Sequence, residues 1–294
     1  MPNKISRRMF VAAAACACAA RADEPIIDSH QHVNFHTRTD EALVAHQRIM
    51  GASRTVLLPG GTNAGLEAKV PGPDAALALV RRHPAEFVYF ANEDPRLPGA
   101  SQTLAKYLKQ GAIGIGEQKF PVECDSKEMV GVAEVAQDFG VPVVMHFEHN
   151  RFNMGIERFH RMLERFPKVN FIGHAQTWWG NIDKNHVQTV MYPKGEVTPG
   201  GISDRLLSDY PNMYADLSAG SGLNGLLRDE DHTREFLKRH QDKLLFGTDC
   251  ADSDGKGEKC SGSQCLAAVR RLAASKQIER KILFENAMRL LRLG

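Results

Sequence analysis

Three features that would identify a class of protein at once are missing from this chain of 294 residues. After the N-terminal segment, no stretch approaches the roughly 20 apolar residues that a transmembrane helix needs, so we expect no stable membrane span. The formal net charge is only +2 and the basic residues are scattered, which argues against a nucleic-acid surface. No Gly-x-Gly-x-x-Gly or Walker loop follows a candidate strand. We therefore expect a small-molecule substrate.

Residues 1–22 have the pattern of a twin-arginine (Tat) export signal. The pair Arg7-Arg8 precedes a short apolar stretch, 11–20, and a small-x-small cleavage site, Ala20-Arg21-Ala22. A lipid anchor on Cys16 is not favoured, because alanine stands where a lipoprotein signal normally has leucine. We predict an exported, periplasmic protein; a cytosolic protein with a basic tail is the alternative.

The remaining residues, 23–294, suit one domain of barrel size. A hydrophobic content of 43% is enough for a large core. Four of the six cysteines lie in this domain, namely Cys124, Cys250, Cys260 and Cys265. The last three share one loop-rich stretch, and an oxidising periplasm permits a disulfide among them, with the pairing open.

Short apolar runs alternate with amphipathic segments along this domain. The candidate strands are 25–32, 54–60, 87–92, 112–119, 142–147, 169–175, 212–218 and 243–249. The candidate helices are 40–50, 74–82, 101–110, 127–139, 156–166, 202–209 and 233–240. Eight such units predict an α/β fold, the (β/α)8 TIM barrel, whose catalytic residues lie at the C-terminal ends of the strands. An open doubly wound sheet is the alternative.

The predicted strand ends are rich in residues that bind metals. His30 and His32 are two residues apart on the first strand, so both imidazoles point to the same face. Later strands end in the same kinds of side chain. These are Glu117 and Lys119 on the fourth strand, His146 on the fifth, His174 on the sixth and Asp249 on the eighth. The pattern predicts a metal site at one end of the barrel.

Five segments give the chain a specific resemblance, which extends over the whole predicted domain. It resembles the amidohydrolase superfamily, within it the amidohydrolase-related group that also contains decarboxylases. The segments are Asp28-Ser29-His30-Gln31-His32, His146, Ile172-Gly173-His174-Ala175, Gly247-Thr248-Asp249 and the closing run 281–291. The closing run resembles a terminal helix that packs beneath the barrel.

The resemblance also implies roles for the strand-end residues. The pair on the first strand and Asp249 would hold one divalent metal, usually zinc, while His146 and His174 would hold a second metal or contact the substrate. Glu117 stands where many members have a lysine. In this it is similar to the TatD-type deoxyribonucleases, whose strand-four glutamate binds metal, although nothing else here suggests DNA as substrate.

The chemistry of such a site follows from its residue types. A divalent ion on His30, His32 and Asp249, supported by Glu117 and His146, would leave a position for water and lower the pKa of that water toward about 7. Asp249 is the best candidate for the general base. His174 would polarise a substrate carbonyl or complete the metal shell. As alternatives, Asp249 would cap a turn and Glu117 would be a solvated strand end.

Candidate substrate contacts lie in the loops that follow the strands. Trp178 and Trp179 follow strand six and could form the floor of a pocket for a ring or sugar; that they are packed under a lid is the alternative. Arg151 could pair with a substrate carboxylate, and Lys119 could bind an anion or pair with Glu117. Neighbouring polar residues, among them His149, Asn150, Asp216 and Ser218, remain ambiguous. The long loop 177–200 is where we expect substrate specificity to be set.

Three functions remain in view. The first is a metal-dependent hydrolase of an amide, lactone or ester bond, with one or two zinc ions as cofactor. The second is a metal-dependent decarboxylase of an aromatic or unsaturated acid. A non-catalytic periplasmic binding barrel is the third; burying so many polar groups without a metal would carry a desolvation cost. The sequence leaves the substrate and the oligomeric state open.

Overall fold

The computed structural model describes residues 25–62 and 67–293, so the predicted export signal lies outside the described residues. Eight parallel strands alternate with helices along this part of the chain. The strands are β1 (Ile26–Gln31), β2 (Ala52–Leu57), β3 (Phe87–Tyr89), β4 (Ile115–Gln118), β5 (Val143–His146), β6 (Phe171–His174), β7 (Met213–Asp216) and β8 (Leu244–Leu245). Each overlaps a predicted strand, which confirms the predicted alternation.

Hydrogen bonds join the eight strands into a closed ring. Parallel ladders pair β1, β2 and β3 in one group and β4 to β8 in another. Between these groups, the Ala91 N–H donates to Gly114 O at 2.8 Å, and the Ala91 carbonyl accepts from the Gly116 N–H at 2.8 Å. β8 returns to β1 where the Ser29 N–H donates to Phe246 O at 2.9 Å. The fold is the predicted (β/α)8 barrel, and all strands end on one rim.

Twelve α-helices lie within residues 25–62 and 67–293. They are α1 (Asp40–Met50), α2 (Pro73–Arg82), α3 (Ala100–Lys109), α4 (Lys127–Phe139), α5 (His160–Arg165), α6 (Gln176–Gly180), α7 (Ile202–Asp209), α8 (Ala219–Leu227), α9 (Glu230–Arg239), α10 (Ser261–Leu272), α11 (Lys276–Arg280) and α12 (Asn286–Leu291). Short 3-10 turns occur at Phe35–Thr37 and Ile156–Arg158, and a π-helical turn at Lys281–Glu285 joins α11 to α12.

Capping residues set the ends of the helices that the sequence predicted best. The Thr39 hydroxyl accepts the Ala42 N–H at the start of α1, and Gly51 ends that helix with a φ of 77°. Gly140 ends α4 with a φ of 64°. These left-handed positions favour glycine, which has no Cβ to clash. Both helices, and α7, have the predicted bounds.

Other helices differ from the prediction. The predicted helix 156–166 is split into a 3-10 turn and α5, and α9 begins three residues before the predicted 233. Helices α6, α8 and α10 were not predicted. α8 has the sequence AGSGLNGLL, in which three glycines hide the apolar periodicity. α6 occupies the start of what the sequence suggested was the long loop 177–200.

Two apolar layers hold the barrel together. The larger lies between the strands and the surrounding helices, and the smaller fills the barrel interior. The interior layer includes Ile27, Val56, Val144, Ile172 and Leu245 from five of the strands and Phe90, which directly follows β3. Ala287, Leu290 and Leu291 of α12 pack against these side chains, so the terminal helix covers one end of the barrel as the resemblance implied.

The cysteines are all thiols in the described part of the chain. Cys124, Cys250, Cys260 and Cys265 are free and buried, so the disulfide that the sequence permitted is not formed. The Sγ atoms of Cys250 and Cys260 lie 3.6 Å apart, far beyond the roughly 2.05 Å of a disulfide bond. As to membranes, no helix among the described residues has both the length and the apolar character needed to cross a bilayer.

A buried ion-pair cluster ties α7 to α9. Asp204 accepts hydrogen bonds from His240 Nε2 at 2.6 Å, from Arg239 Nη2 at 2.9 Å and from the Gly200 N–H at 2.9 Å. Burial raises the pKa of Asp204, but these three groups outweigh burial and lower that pKa to about 2. The carboxylate therefore contributes stability while it is ionised.

We predict that Asp204→Asn lowers the free energy of unfolding by about 1 to 2 kcal/mol at neutral pH. Because the folded-state pKa lies below the unfolded value, the difference should be full above about pH 4 and vanish as the pH falls through about 2. Denaturant titrations across this range would measure it. Asp209→Asn, an exposed change on the same helix, is the control; equal destabilisation at every pH would contradict this role for Asp204.

Candidate metal centre

The rim of the barrel brings all the predicted metal-binding side chains together. They come from the ends of β1, β4, β5 and β6 and from the turn after β8, and they form overlapping groups whose ligand atoms lie within 4.8 Å of one another. The set comprises His30, His32, Glu117, His146, His174 and Asp249. Strands from five places in the sequence thus converge on one point.

The two imidazoles of β1 are held by their Nδ1 atoms. His32 Nδ1 lies 2.5 Å from the carbonyl oxygen of Leu58, and His30 Nδ1 lies 2.8 Å from Asp216 Oδ2. A carbonyl oxygen and an ionised carboxylate only accept hydrogen bonds, so both Nδ1 atoms carry the proton. The two Nε2 atoms then face each other at 3.2 Å. In the neutral rings these are two lone pairs directed at the same place, which is how a cation is bound.

Asp216 fixes a third imidazole in the same way. Its Oδ1 lies 2.8 Å from His174 Nδ1 and also accepts the Ser218 hydroxyl at 2.6 Å. His174 Nε2 therefore points into the centre, 3.5 Å from Glu117 Oε1. The sequence left Asp216 and Ser218 ambiguous; the structure makes Asp216 the carboxylate that orients two rings.

Glu117 divides the centre into two halves. Its Oε2 lies 3.7 Å from His30 Nε2 and 3.6 Å from His32 Nε2. Its Oε1 faces His174 and is in contact with His146 Nδ1. One carboxylate thus presents an oxygen to each of two neighbouring groups of nitrogen ligands.

Asp249 closes the centre on the side of the solvent. Its Oδ1 lies 3.2 Å from His32 Nε2 without making a hydrogen bond, and its Oδ2 lies 3.5 Å from His174 Nε2. The residue has a φ of 39°, and its N–H donates to His30 O at 2.8 Å, which directs the carboxylate over the imidazoles. Its side chain is 12% exposed, against 0% for His30 and 3% for Glu117.

Charges in the centre compensate one another. Burial lowers the pKa of His174, but Asp216 outweighs burial and raises that pKa to about 9. Asp249 and Asp216 likewise raise the pKa of His30 against the effect of burial. Burial alone would raise the pKa of Asp249 and of Glu117, yet the imidazoles hold both below the usual range. The raised pKa values of His30 and His174 favour protons on these two rings without a metal, and a divalent cation would displace them.

These residues fit a divalent metal. Nitrogen ligands about 2.05 Å from a tetrahedral zinc ion lie about 3.3 Å from one another, close to the 3.2 Å between His30 Nε2 and His32 Nε2. The donors are imidazoles and carboxylates, the types that zinc and similar ions use in catalytic sites. The unpartnered Asp249 Oδ1 supplies a further acceptor at the same point.

A protein-family model confirms the family that the sequence resembles. The model described as amidohydrolase matches residues 27–293, which is nearly the whole chain. The chain belongs to the amidohydrolase family. It is an enzyme of a metal-dependent family, as the resemblance implied.

Solved structures show the same fold. A probable 2-pyrone-4,6-dicarboxylic acid hydrolase from Acinetobacter baumannii is 13% identical with a TM-score of 0.62, covering 91% of this chain and 99% of that one. The 5-carboxyvanillate decarboxylase of Sphingomonas paucimobilis is 12% identical with a TM-score of 0.60, and the match covers 92% of this chain and 100% of that one. A zinc-containing amidohydrolase from Burkholderia multivorans is 14% identical with a TM-score of 0.62, and the match covers 92% of this chain and 99% of that one. No curated protein matches the sequence.

The two tryptophans of this amidohydrolase have a different place from the predicted one. Trp178 and Trp179 are 0% and 3% exposed and belong to the hydrophobic core. The Trp178 ring packs on Gly173, where a Cβ would come within 2.3 Å of it, and stacks on Phe147. The Trp179 indole N–H donates to Asp216 O at 3.0 Å. Their burial corrects the prediction that they floor a substrate pocket; they support the strand ends instead.

The predicted anion-binding residues are paired with acidic side chains. Lys119 Nζ lies 3.4 Å from Glu67 Oε2, not against Glu117, and Arg151 contacts Glu67 as well. Arg151 Nη1 also lies 3.1 Å from Glu148 Oε1. Both cations stay candidates for substrate binding.

The sequence analysis missed Glu148, whose Oε2 lies 3.2 Å from His146 Nε2. Its position two residues after His146, which corresponds to the same face of an extended chain, could have indicated this contact.

A polar cavity of about 250 Å³ lies beside the metal centre. Glu148, His149, Asn150, Thr177 and Gln188 are among the residues that line it. The candidate metal ligands are not in its wall, so Glu148 connects the cavity to His146. The loops after β5 and β6 thus form a space where the sequence placed substrate contacts.

Replacing Asp216 by asparagine should weaken metal binding by about 10- to 100-fold, because the amide no longer fixes the Nδ1 protons of His30 and His174. Competition with a chelator would measure the affinity. Asp138→Asn, an exposed change on α4, is the control. Equal affinity of wild type and D216N would show that Asp216 does not orient the ligands.

Proposed function

We propose that this amidohydrolase-family enzyme hydrolyses an amide, lactone or ester bond of a small molecule. The observation that carries the proposal is the position of Asp249. It is the most exposed of the candidate ligands at 12%, and it lies against His30, His32 and His174 at the edge of the centre. A carboxylate there borders both the metal position and the approaching substrate.

The proposed cofactor is zinc, as a pair of ions to which Glu117 would offer one oxygen each. Two facts support it: the oxygens of Glu117 face different sets of imidazoles, and the similar Burkholderia multivorans structure has bound zinc. His30, His32 and Asp249, whose oxygens lie 4.0 Å from His30 Nε2 and 3.2 Å from His32 Nε2, would hold the first ion. His146 and His174, which group with Glu117, would hold the second. In this role Glu117 replaces the lysine of many relatives.

The residues of the centre would have separate roles in hydrolysis. A divalent metal supplies a Lewis acid that lowers the pKa of water toward about 7. Asp249 would accept a proton from water and pass it to the leaving group, because its carboxylate lies against His30, His32 and His174 at the exposed edge of the centre. His174, oriented by Asp216, lies where it can polarise a carbonyl or bind metal.

The proposed substrate binds over the C-terminal rim, with polar groups toward the cavity beside Glu148. Arg151 and Lys119 would face an anionic group if either exchanges its contact with Glu67. The twin-arginine pattern of residues 1–22 supports export to the periplasm, where this reaction would take place.

A decarboxylase of an aromatic or unsaturated acid is the second candidate. It is favoured by the similarity in fold to decarboxylases of Sphingomonas paucimobilis and Rhizobium. The same centre would serve it: the bond between the ring or alkene carbon and the carboxylate would break with release of carbon dioxide, and Asp249 would pass a proton taken from water to that carbon.

The zinc-loaded enzyme should be screened against amide, lactone, ester and carboxylic-acid libraries. We expect a new carboxylate without release of carbon dioxide. For a substrate that is turned over, Asp249→Asn should lower kcat by about 100- to 10,000-fold, because the proton acceptor is lost.

Asp254→Asn, an exposed change on the same loop, should leave kcat unchanged. Metal content is measured on each variant, so that loss of the general base is separated from loss of metal. Carbon dioxide release without hydrolysis would establish the decarboxylase instead. Full activity of metal-loaded D249N would contradict the role of Asp249.

A further inference from the structure

A second cluster of metal-binding side chains lies behind the catalytic rim. His46 of α1 meets Cys250, which follows Asp249, and Cys260, which precedes α10. His46 Nε2 lies 3.2 Å from Cys250 Sγ and 3.4 Å from Cys260 Sγ, and the two sulfurs are 3.6 Å apart. All three residues are buried. None of them belongs to the amidohydrolase centre.

The three distances lie within about 0.4 Å of the edges of a tetrahedron around zinc. With Zn–S about 2.3 Å and Zn–N about 2.05 Å, two sulfurs lie about 3.8 Å apart and sulfur and nitrogen about 3.6 Å apart. A disulfide would instead bring the sulfurs to about 2.05 Å. The side chains are therefore spaced as ligands around an ion.

We propose that His46, Cys250 and Cys260 bind a soft or borderline divalent cation of the zinc type, in a site separate from the catalytic one. Two thiol protons leave on binding, so that two thiolates balance the charge of the ion. Three protein ligands leave a fourth position for water or another small ligand.

The surroundings of the cluster favour a thiolate at Cys260, whereas contact with Cys260 and burial raise the pKa of the Cys250 thiol. Cys260 is at the N-terminus of α10, a helix of 12 residues, and its Sγ accepts the Ser263 N–H at 3.3 Å. The guanidinium of Arg38 lies beside the Cys250 thiol. His46 directs Nε2 to both sulfurs, while its Nδ1 has no hydrogen-bond partner within the described residues.

The proposed ion would clamp the loop 251–259 onto α1. Cys250 and Cys260 are the two ends of this loop, and Gly255 in its middle lies on α1, where a Cβ would come within 2.7 Å of His46 O. Because Cys250 follows Asp249, the clamp would also hold the chain that carries the catalytic carboxylate. The proposal stands whether or not the proposed hydrolysis is correct.

Cobalt is the probe that separates this site from the catalytic one. Co²⁺ is added to the metal-depleted full chain under reducing conditions. We expect a thiolate-to-cobalt charge-transfer band in the near ultraviolet, which the nitrogen and oxygen ligands of the catalytic centre cannot produce. The band should disappear in Cys260→Ala and in His46→Ala and persist in Cys124→Ser, which changes a buried thiol outside the cluster.

Zinc analysis gives a second readout that does not depend on cobalt. Wild type and C124S should each hold one more zinc ion per chain than C260A. Absence of the charge-transfer band in reduced, folded wild type would overturn the proposal. So would a Cys250–Cys260 disulfide that stays intact in the zinc-loaded protein, detected as a cross-linked peptide by mass spectrometry.

Discussion

The carboxylate of Asp216 is the constraint on which the rest of the catalytic rim depends. Its two oxygens hold Nδ1 of His30 and of His174, at 2.8 Å each, and so place Nε2 of both rings toward the centre. The Trp179 indole and the Ser218 hydroxyl in turn hold Asp216 in place. The buried Asp216 side chain thereby links the packing of the core to the candidate metal ligands. It orients the imidazoles of His30 and His174 before a metal binds.

The buried carboxylates of the same centre require a cation to balance their negative charge. Glu117, Asp216 and Asp249 lie among imidazoles with little access to water, and ionised carboxylates in such a place require positive partners. Protons on His30 and His174 meet this need in the metal-free protein, and a divalent metal would do so in the active enzyme. Glu117 is the group that both halves of the centre share, since each of its oxygens faces a different set of nitrogens.

The sequence was sufficient to predict the barrel and the convergence of the candidate ligands on its rim, because both follow from local periodicity. His30 and His32 share a face of β1, and the other ligands stand where apolar runs end. It could not place Trp178, because a pair of tryptophans after a strand suits a pocket as well as a core, and only the packing on Gly173 decides. Nor could it pair Asp216 with His30 or Cys250 with His46, since these contacts join residues far apart in the chain.

The most direct test of the proposed metal pair is anomalous diffraction from zinc-loaded crystals, with data recorded on both sides of the zinc absorption edge. We predict two peaks on either side of Glu117, about 3.5 to 4 Å apart, one next to His30 and His32 and the other next to His146. A single peak, or two peaks of which neither is in contact with Glu117, would contradict the proposal that this glutamate joins two metal positions.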